Sequence, residues 1–219
     1  KDQAAFFPPY HISPYKRVEF HSETAGRRVR VLYEMMEKGR DLIVVTTVEG
    51  LLKKLIPKNA LSGFAELVAS GEEMDREALV SKLVSGGYSH VSMVEDPGDF
   101  SVRGGIVDIY SPLYDDPLRM EFFGDMVESM RFFSAATQKK KKDVHEAVIL
   151  PAREAMFEPG SRDGFVRRMK KLGRSAGVPA KKMIRMAERF EKEGFFPGIE
   201  NFISLIYEKP GVFSDYIPK

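Results

Sequence analysis

The stretch PLRMEFFGDMVESMRFF, residues 117–133, constrains the fold most. Two β-type runs flank Gly124-Asp125, and glycine at the first turn position suits a two-residue hairpin. Side chains alternate across a strand, so Leu118, Met120, Phe122 and Val127 share one face. Arg119, Glu121, Phe123 and Met126 share the other. A plain two-residue turn sets Phe123 opposite Met126, Glu121 opposite Glu128 and Arg119 opposite Met130, with Arg131 on the reverse side. The first face belongs to a core. The second joins an arginine, a large aromatic and a methionine, residue types enriched at interface hot spots. A blander reading has Phe123 covered by another element of the chain and Arg119 paired with a glutamate across the sheet.

Just upstream, GDFSVRGGIVDIY (98–110) has the glycines of a phosphate loop. Such a loop needs two glycines at fixed spacing, a lysine that reaches the phosphates and a helix that follows. Here the spacing and the lysine are missing, and a β-run follows. The segment reads as a strand, a tight Arg-Gly-Gly bend that re-aims the chain, and a second strand. Arg103 at the bend is its distinctive group.

Other chemistry finds little support. The chain has no cysteine, which excludes disulfides and thiolate metal sites and fits a reducing, cytoplasmic setting. His11, His21, His90 and His145 are scattered without ligand spacing, so no metal site is expected. No G-x-S-x-G elbow accompanies them. Glu72-Glu73 and Asp115-Asp116 lie in polar turns and read as solvated. No catalytic residue and no cofactor emerge. The longest apolar run, such as LIVV, is far short of a membrane span. A net charge of +2 excludes a polycation as a whole.

The rest of the chain frames the hairpin. Residues 1–18 read as an extended, loop-like entry. Residues 22–38 read as a helix with Ser22 as cap and Val29, Leu32, Tyr33 and Met36 on one side. Leu42 to Val45 is a continuous run typical of a strand buried on both faces in a parallel sheet. Residues 75–86 form a short helix capped by Asp75, followed by strands near 88–94, 99–110, 118–123 and 126–133. AVILPARE near 147–154 returns to the first style, two basic helices occupy 161–173 and 179–193, and a short helix closes the chain. The expected fold is an α/β domain interrupted by a small inserted α+β domain with an antiparallel sheet. The boundaries drawn are 1–60, 61–146 and 147–219.

Charge is unevenly placed. From Ser161 to Arg185 nine Lys/Arg face one acid, Asp163. Arg167, Arg168, Lys170, Lys171, Lys181 and Lys182 are candidates for nucleic-acid contact, since phosphate backbones bind such patches. The alternative is the solvated side of two amphipathic helices.

The motifs DPGDFSVRGGIVDIY, PLRMEFFGDMVESMRFF, ILPARE and GIENFISLIYEKPGVFSDYIP, in this order and spacing, resemble the region shared by UvrB and the bacterial transcription-repair coupling factors (Mfd). The short segment between Ser13-Pro14-Tyr15 and the first helix has no room for the long hairpin with which UvrB grips damaged DNA. The likeness is therefore to the N-terminal UvrB-homology module of the coupling factors. That resemblance implies a degenerate helicase-like domain, starting here inside its first half, interrupted by a domain that recruits UvrA. It implies UvrA contacts at Arg103, Arg119 and Phe123. It further implies a parent protein with RNA polymerase and DNA as partners and intramolecular contacts to later domains. The ATP- and Mg-dependent translocase motor would lie in those later domains, leaving this module without cofactor or catalysis.

Overall fold

The computed structural model describes residues 4–10, 22–37, 41–157, 160–196 and 198–218. His11, His21, the 13–15 segment and Gly39 lie outside the described residues. Three apolar cores organise the described residues.

The first core forms around helix α1 (Ser22–Met36) and a two-stranded parallel sheet of β1 (Ala4–Phe7) and β2 (Ile43–Thr46). Phe7, Val29, Leu32, Leu55, Ile56, Leu61 and Tyr216 are buried there. The periodicity read for 22–38 thus packs as expected. Two expectations change. The entry segment is not all loop, because Ala4–Phe7 pairs with β2. And β2 is not buried on both faces: Ile43 is 62% and Val45 54% exposed. A β-branched run signals two covered faces only when elements lie on both sides. Among the described residues this strand has one covered face. Two short helices, α2 (Val48–Leu52) and α3 (Lys58–Phe64), lead onward, α3 starting directly after Pro57.

The second core lies beneath a six-stranded sheet. Its order is β4 (Ser89–His90), β5 (Asp99–Arg103), β6 (Ile106–Ile109), β7 (Leu118–Phe123), β8 (Met126–Phe133), β9 (Lys140–Asp143). All neighbours are antiparallel except β4 and β5. Phe100, Val107, Ile109, Leu118, Met120, Phe122, Val127 and Met130 fill its inner face, as alternation requires. Helix α4 (Arg76–Ser85) packs Leu79 and Leu83 against them. Asp75 caps that helix, accepting from the amides of Glu77 and Ala78 at 2.8 and 3.0 Å. A separate antiparallel pair, β3 (Glu66–Ala69) with β10 (Glu146–Ile149), adds Val68, Ala147 and Ile149 to the same core. The lysine run becomes the exposed edge strand β9, a composition that discourages further pairing.

The third core joins the basic helices α5 (Arg162–Ser175) and α6 (Ala180–Glu193). Phe165, Met169, Met183, Phe190 and Phe196 interlock there with Ile199 and with Ile203 of α7 (Ile203–Ile206).

The buried segment Ala152–Ala155 ties these cores together. Arg28 of α1 donates to Glu154 and to the Pro8 carbonyl, both at 2.6 Å. Its guanidinium lies 4.0 Å from the Phe7 ring centroid and 4.3 Å from that of Tyr10. Burial is the largest influence and opposes this charge, but Glu154 and Tyr10 together outweigh it and the Arg28 pKa rises. Arg153 donates to the Gly87 carbonyl at 3.3 Å and covers the Phe195 ring at 4.4 Å. Glu200 approaches Arg153 only to 3.9 Å, and its carboxylate oxygens make no hydrogen bond to protein groups. Burial therefore pushes the Glu200 carboxyl up and the Arg153 guanidinium down.

Candidate protein-interaction face

The outer side of the six-stranded sheet carries the predicted residues. Register sets Asp108 of β6 opposite Arg119 of β7, and Arg119 opposite Arg131 of β8. The next row is Arg103, Ile106, Glu121 and Ser129. Phe123 and Met126 stand at the hairpin end. The turns that bring these rows together are both tight, with Gly104 at φ 58° and Gly124 at φ 60°, a left-handed conformation that favours glycine.

The chain at Arg103-Gly104-Gly105 forms the expected strand, tight bend and second strand, closed as a two-residue hairpin with Arg103 paired to Ile106. Two sequence expectations are corrected here. The simple register of the next hairpin holds at Phe123–Met126 and Phe122–Val127 but fails beyond them. A bulge at Glu121/Phe122 shifts the pairing, so Glu121 faces Ser129 rather than Glu128, and Arg119 faces Arg131 rather than Met130. An extra residue in one strand reverses the side to which later residues point. Arg131 consequently joins the outer face instead of leaving it.

Asp108 organises the face. It is 1% exposed. Arg119 grips it through two parallel bonds, Nε to Oδ1 at 2.6 Å and Nη2 to Oδ2 at 2.7 Å. Arg103 Nη2 reaches Oδ2 at 2.6 Å. Arg119 also lies over the buried Phe133 ring at 4.4 Å, and its bonds to Asp108 hold its pKa up. Beside this group, Arg131 donates to Glu121 at 2.5 Å and Ser129 donates to the same carboxylate at 2.6 Å. The Arg131 bond first, then the Ser129 hydroxyl, lowers the Glu121 pKa to about 2. Two like charges opposite each other, Arg119 and Arg131, are thus each held by their own carboxylate.

Every carboxylate oxygen of Asp108 and Glu121 accepts at least one hydrogen bond, while the guanidiniums keep donors to spare. Each guanidinium offers five N–H groups, and most of those on Arg103 and Arg131 are unused by the bonds above. Arg103 remains about half exposed, while Arg119 is 15% exposed and presents only an edge. Phe123 is 81% exposed, uncovered by any described element, and Met126 beside it is 38% exposed. So the blander reading fails for Phe123. For Arg119 it holds in altered form, since the pairing acid is an aspartate. Such a surface suits a partner with carboxylates or carbonyls around an apolar pocket.

Asp108 had no place among the sequence candidates. Its signal was present: an aspartate between Val107 and Ile109 in an apolar strand needs a cation to be buried. Among the described residues no group of His, Cys, Asp or Glu could hold a metal ion. His90 stacks on Phe100 and His145 meets Ser70, both at the surface. The acidic turns are solvated or paired, Asp115 with Arg30 and Asp116 with Lys141.

The basic candidates lie on α5 and α6, the helices that build the third core. Arg167, Arg168, Lys171, Lys181 and Lys182 are exposed and Lys170 is half-buried. Arg168 is tied to the Leu205 carbonyl at 2.7 Å.

Residues 67–154 match the family described as the UvrB interaction domain, a span that takes in the whole six-stranded sheet and its charged face. The class is therefore that of a UvrB interaction domain set among α/β elements. Over most of its length the chain is similar to transcription-repair-coupling factors. It is 31% identical over 209 residues to that of Myxococcus xanthus, covering 92% of this chain and 17% of the relative. The Bacillus subtilis protein is 29% identical over 209 residues, with 90% and 17% covered. That of Mycobacterium bovis is 34% identical over 164 residues, with 71% and 13% covered. The chain corresponds to the N-terminal UvrB-homology module of the transcription-repair-coupling factor family. It spans less than a fifth of the length of these relatives.

Proposed function

We propose that this chain is a non-catalytic docking module that binds UvrA through the outer face of the six-stranded sheet. Arg103, Arg119 and Phe123 form the contact, with Arg131 at its margin. In this reading the inserted domain, drawn at 61–146, interrupts a helicase-like domain formed by 1–60 and 147–219. The parent protein recruits nucleotide excision repair to stalled RNA polymerase, and ATP, Mg and DNA translocation belong to its other domains.

One observation carries the reading. Phe123 stands 81% exposed at the hairpin end, beside guanidiniums already fixed on a buried carboxylate. Exposing a phenylalanine to that degree gains a folded chain nothing, and the neighbouring charges are held in place before any partner arrives. Pre-set side chains lose less freedom on binding. The family match over 67–154 supports the same face. No helix among the described residues is long and apolar enough to cross a membrane.

Calorimetric titration of purified UvrA tests this. Wild type binds, while Phe123→Ala and Arg103→Ala each weaken binding by at least tenfold with unchanged circular dichroism. Equal affinities would remove the face from the account.

A further inference from the structure

The charge of this chain is segregated by core. Residues 160–219 hold 13 Lys/Arg against 7 Asp/Glu, a net +6, so residues 1–159 carry −4 of the overall +2. The excess sits on α5 and α6. Their apolar stripes, Phe165, Val166 and Met169 on one and Met183, Ala187 and Phe190 on the other, are buried against each other and the third core. That burial fixes which sides point outward. Arg167, Lys171 and Arg174 recur at i, i+4 and i+7, so they line one side of α5 over about 10 Å. Lys181 and Arg185 lie one turn apart on α6. All five are exposed, and no carboxylate pairs with any of them among the described residues.

This differs from the sheet face in kind. There, each cation is anchored and an exposed aromatic stands at the hairpin end beside them. Here the cations are unanchored, mixed Lys and Arg on long stems, with no exposed aromatic among them. Protein interfaces are depleted in charge at their centres and enriched in aromatics. A row of free cations instead matches a uniform polyanion, whose binding is driven by released counterions and needs no fixed geometry.

We propose that the outer side of the α5–α6 pair binds the phosphate backbone of duplex nucleic acid, without reading sequence. Arg167, Lys171, Arg174, Lys181 and Arg185 supply the contacts. The surface is separate from the UvrA face, so both can be occupied in the parent protein.

Fluorescence anisotropy of the whole chain with a labelled 20-base-pair DNA duplex tests this. Binding is expected at 50 mM salt, equal for two unrelated sequences, with a log–log salt slope of about −3 to −5 if four or five phosphates are neutralised. Affinity then falls on the order of a hundredfold between 50 and 200 mM salt. The variant Arg167→Glu/Lys171→Glu/Lys181→Glu is expected to lose at least tenfold at 50 mM salt while keeping its thermal transition. Arg103→Ala, which weakens UvrA binding, is expected to leave DNA affinity unchanged, so the two readings fail separately. No binding at 50 mM salt overturns the proposal, as does binding that the charge reversal leaves intact. Polyglutamate that competes as well as DNA per unit charge also overturns it, in favour of an acidic protein partner.

Discussion

Two of the arginine–carboxylate groups among the described residues stand under opposite conditions. At the seam between the cores, Arg28, Arg153, Glu154 and Glu200 are all buried, walled by Phe7, Tyr10 and Phe195. On the sheet face, Arg103, Arg119 and Arg131 share Asp108 and Glu121 at the edge of solvent. The seam uses its charges inward: Arg28 joins α1 to the Pro8 carbonyl and to the 152–155 segment, and Tyr207 donates to the Glu154 carbonyl at 2.7 Å. The face uses one buried carboxylate to aim two cations outward. The same residue types thus serve cohesion in one place and presentation in the other. What separates them is where the unused hydrogen-bonding capacity points.

The largest effect is expected at the seam. Arg28→Met keeps the side-chain volume but leaves Glu154 charged and buried, and such a break costs about 3–5 kcal/mol. Urea denaturation should show a midpoint shift of that size. Replacing Glu154 as well should recover much of the loss, because no uncompensated charge remains.

Asp108→Asn comes next and links the two regions, since it breaks a buried charge on the proposed docking face. Losing a buried charged acceptor costs about 1–3 kcal/mol of stability. It should also weaken UvrA binding, because Arg103 and Arg119 lose their common anchor. Unchanged affinity in a folded Asp108→Asn variant would show that the arginines need no aiming.

Phe123→Ala should separate presentation from cohesion. Substitution of so exposed a residue should alter stability by no more than about 0.5 kcal/mol. A central hot spot loses about 2 kcal/mol or more of binding.

The smallest effects are in pH dependence, and the two regions should differ in sign. Glu121 titrates at about 2, below its ordinary 4.5. Its contribution is present above 4.5 and is lost as pH falls toward 2. It is modest, because the pair is partly exposed and screened. The Glu200 carboxyl is pushed up by burial. Its contribution is complete below the unfolded value and lost as pH rises through the folded one. Glu121→Gln should flatten the acid limb of the stability profile. Glu200→Gln should remove a decline on the neutral side. Identical profiles would contradict the contrast.

Much of the face was legible in the sequence. Alternation alone placed Arg119, Glu121, Phe123 and Met126 on one side, and Gly124-Asp125 marked the turn. The bulge at Glu121/Phe122 was not legible, because no turn chemistry announces it, and with it went the placement of Arg131. Asp108 was overlooked because its partners lie on neighbouring strands. The exposure of Ile43 and Val45 could not be read either, since composition tells that a strand can be buried, not that a second layer covers it. The seam was visible only as the ILPARE motif. Its role arises from contacts with Arg28, Gly87 and Tyr207, all distant in the chain.

The central claim is that an exposed phenylalanine beside pre-aimed arginines forms the docking surface for UvrA. Calorimetric titration of UvrA into wild type, Phe123→Ala and Arg103→Ala tests it most directly. The account predicts at least a tenfold loss of affinity in each variant at unchanged thermal stability. Wild-type affinity in both variants would contradict it.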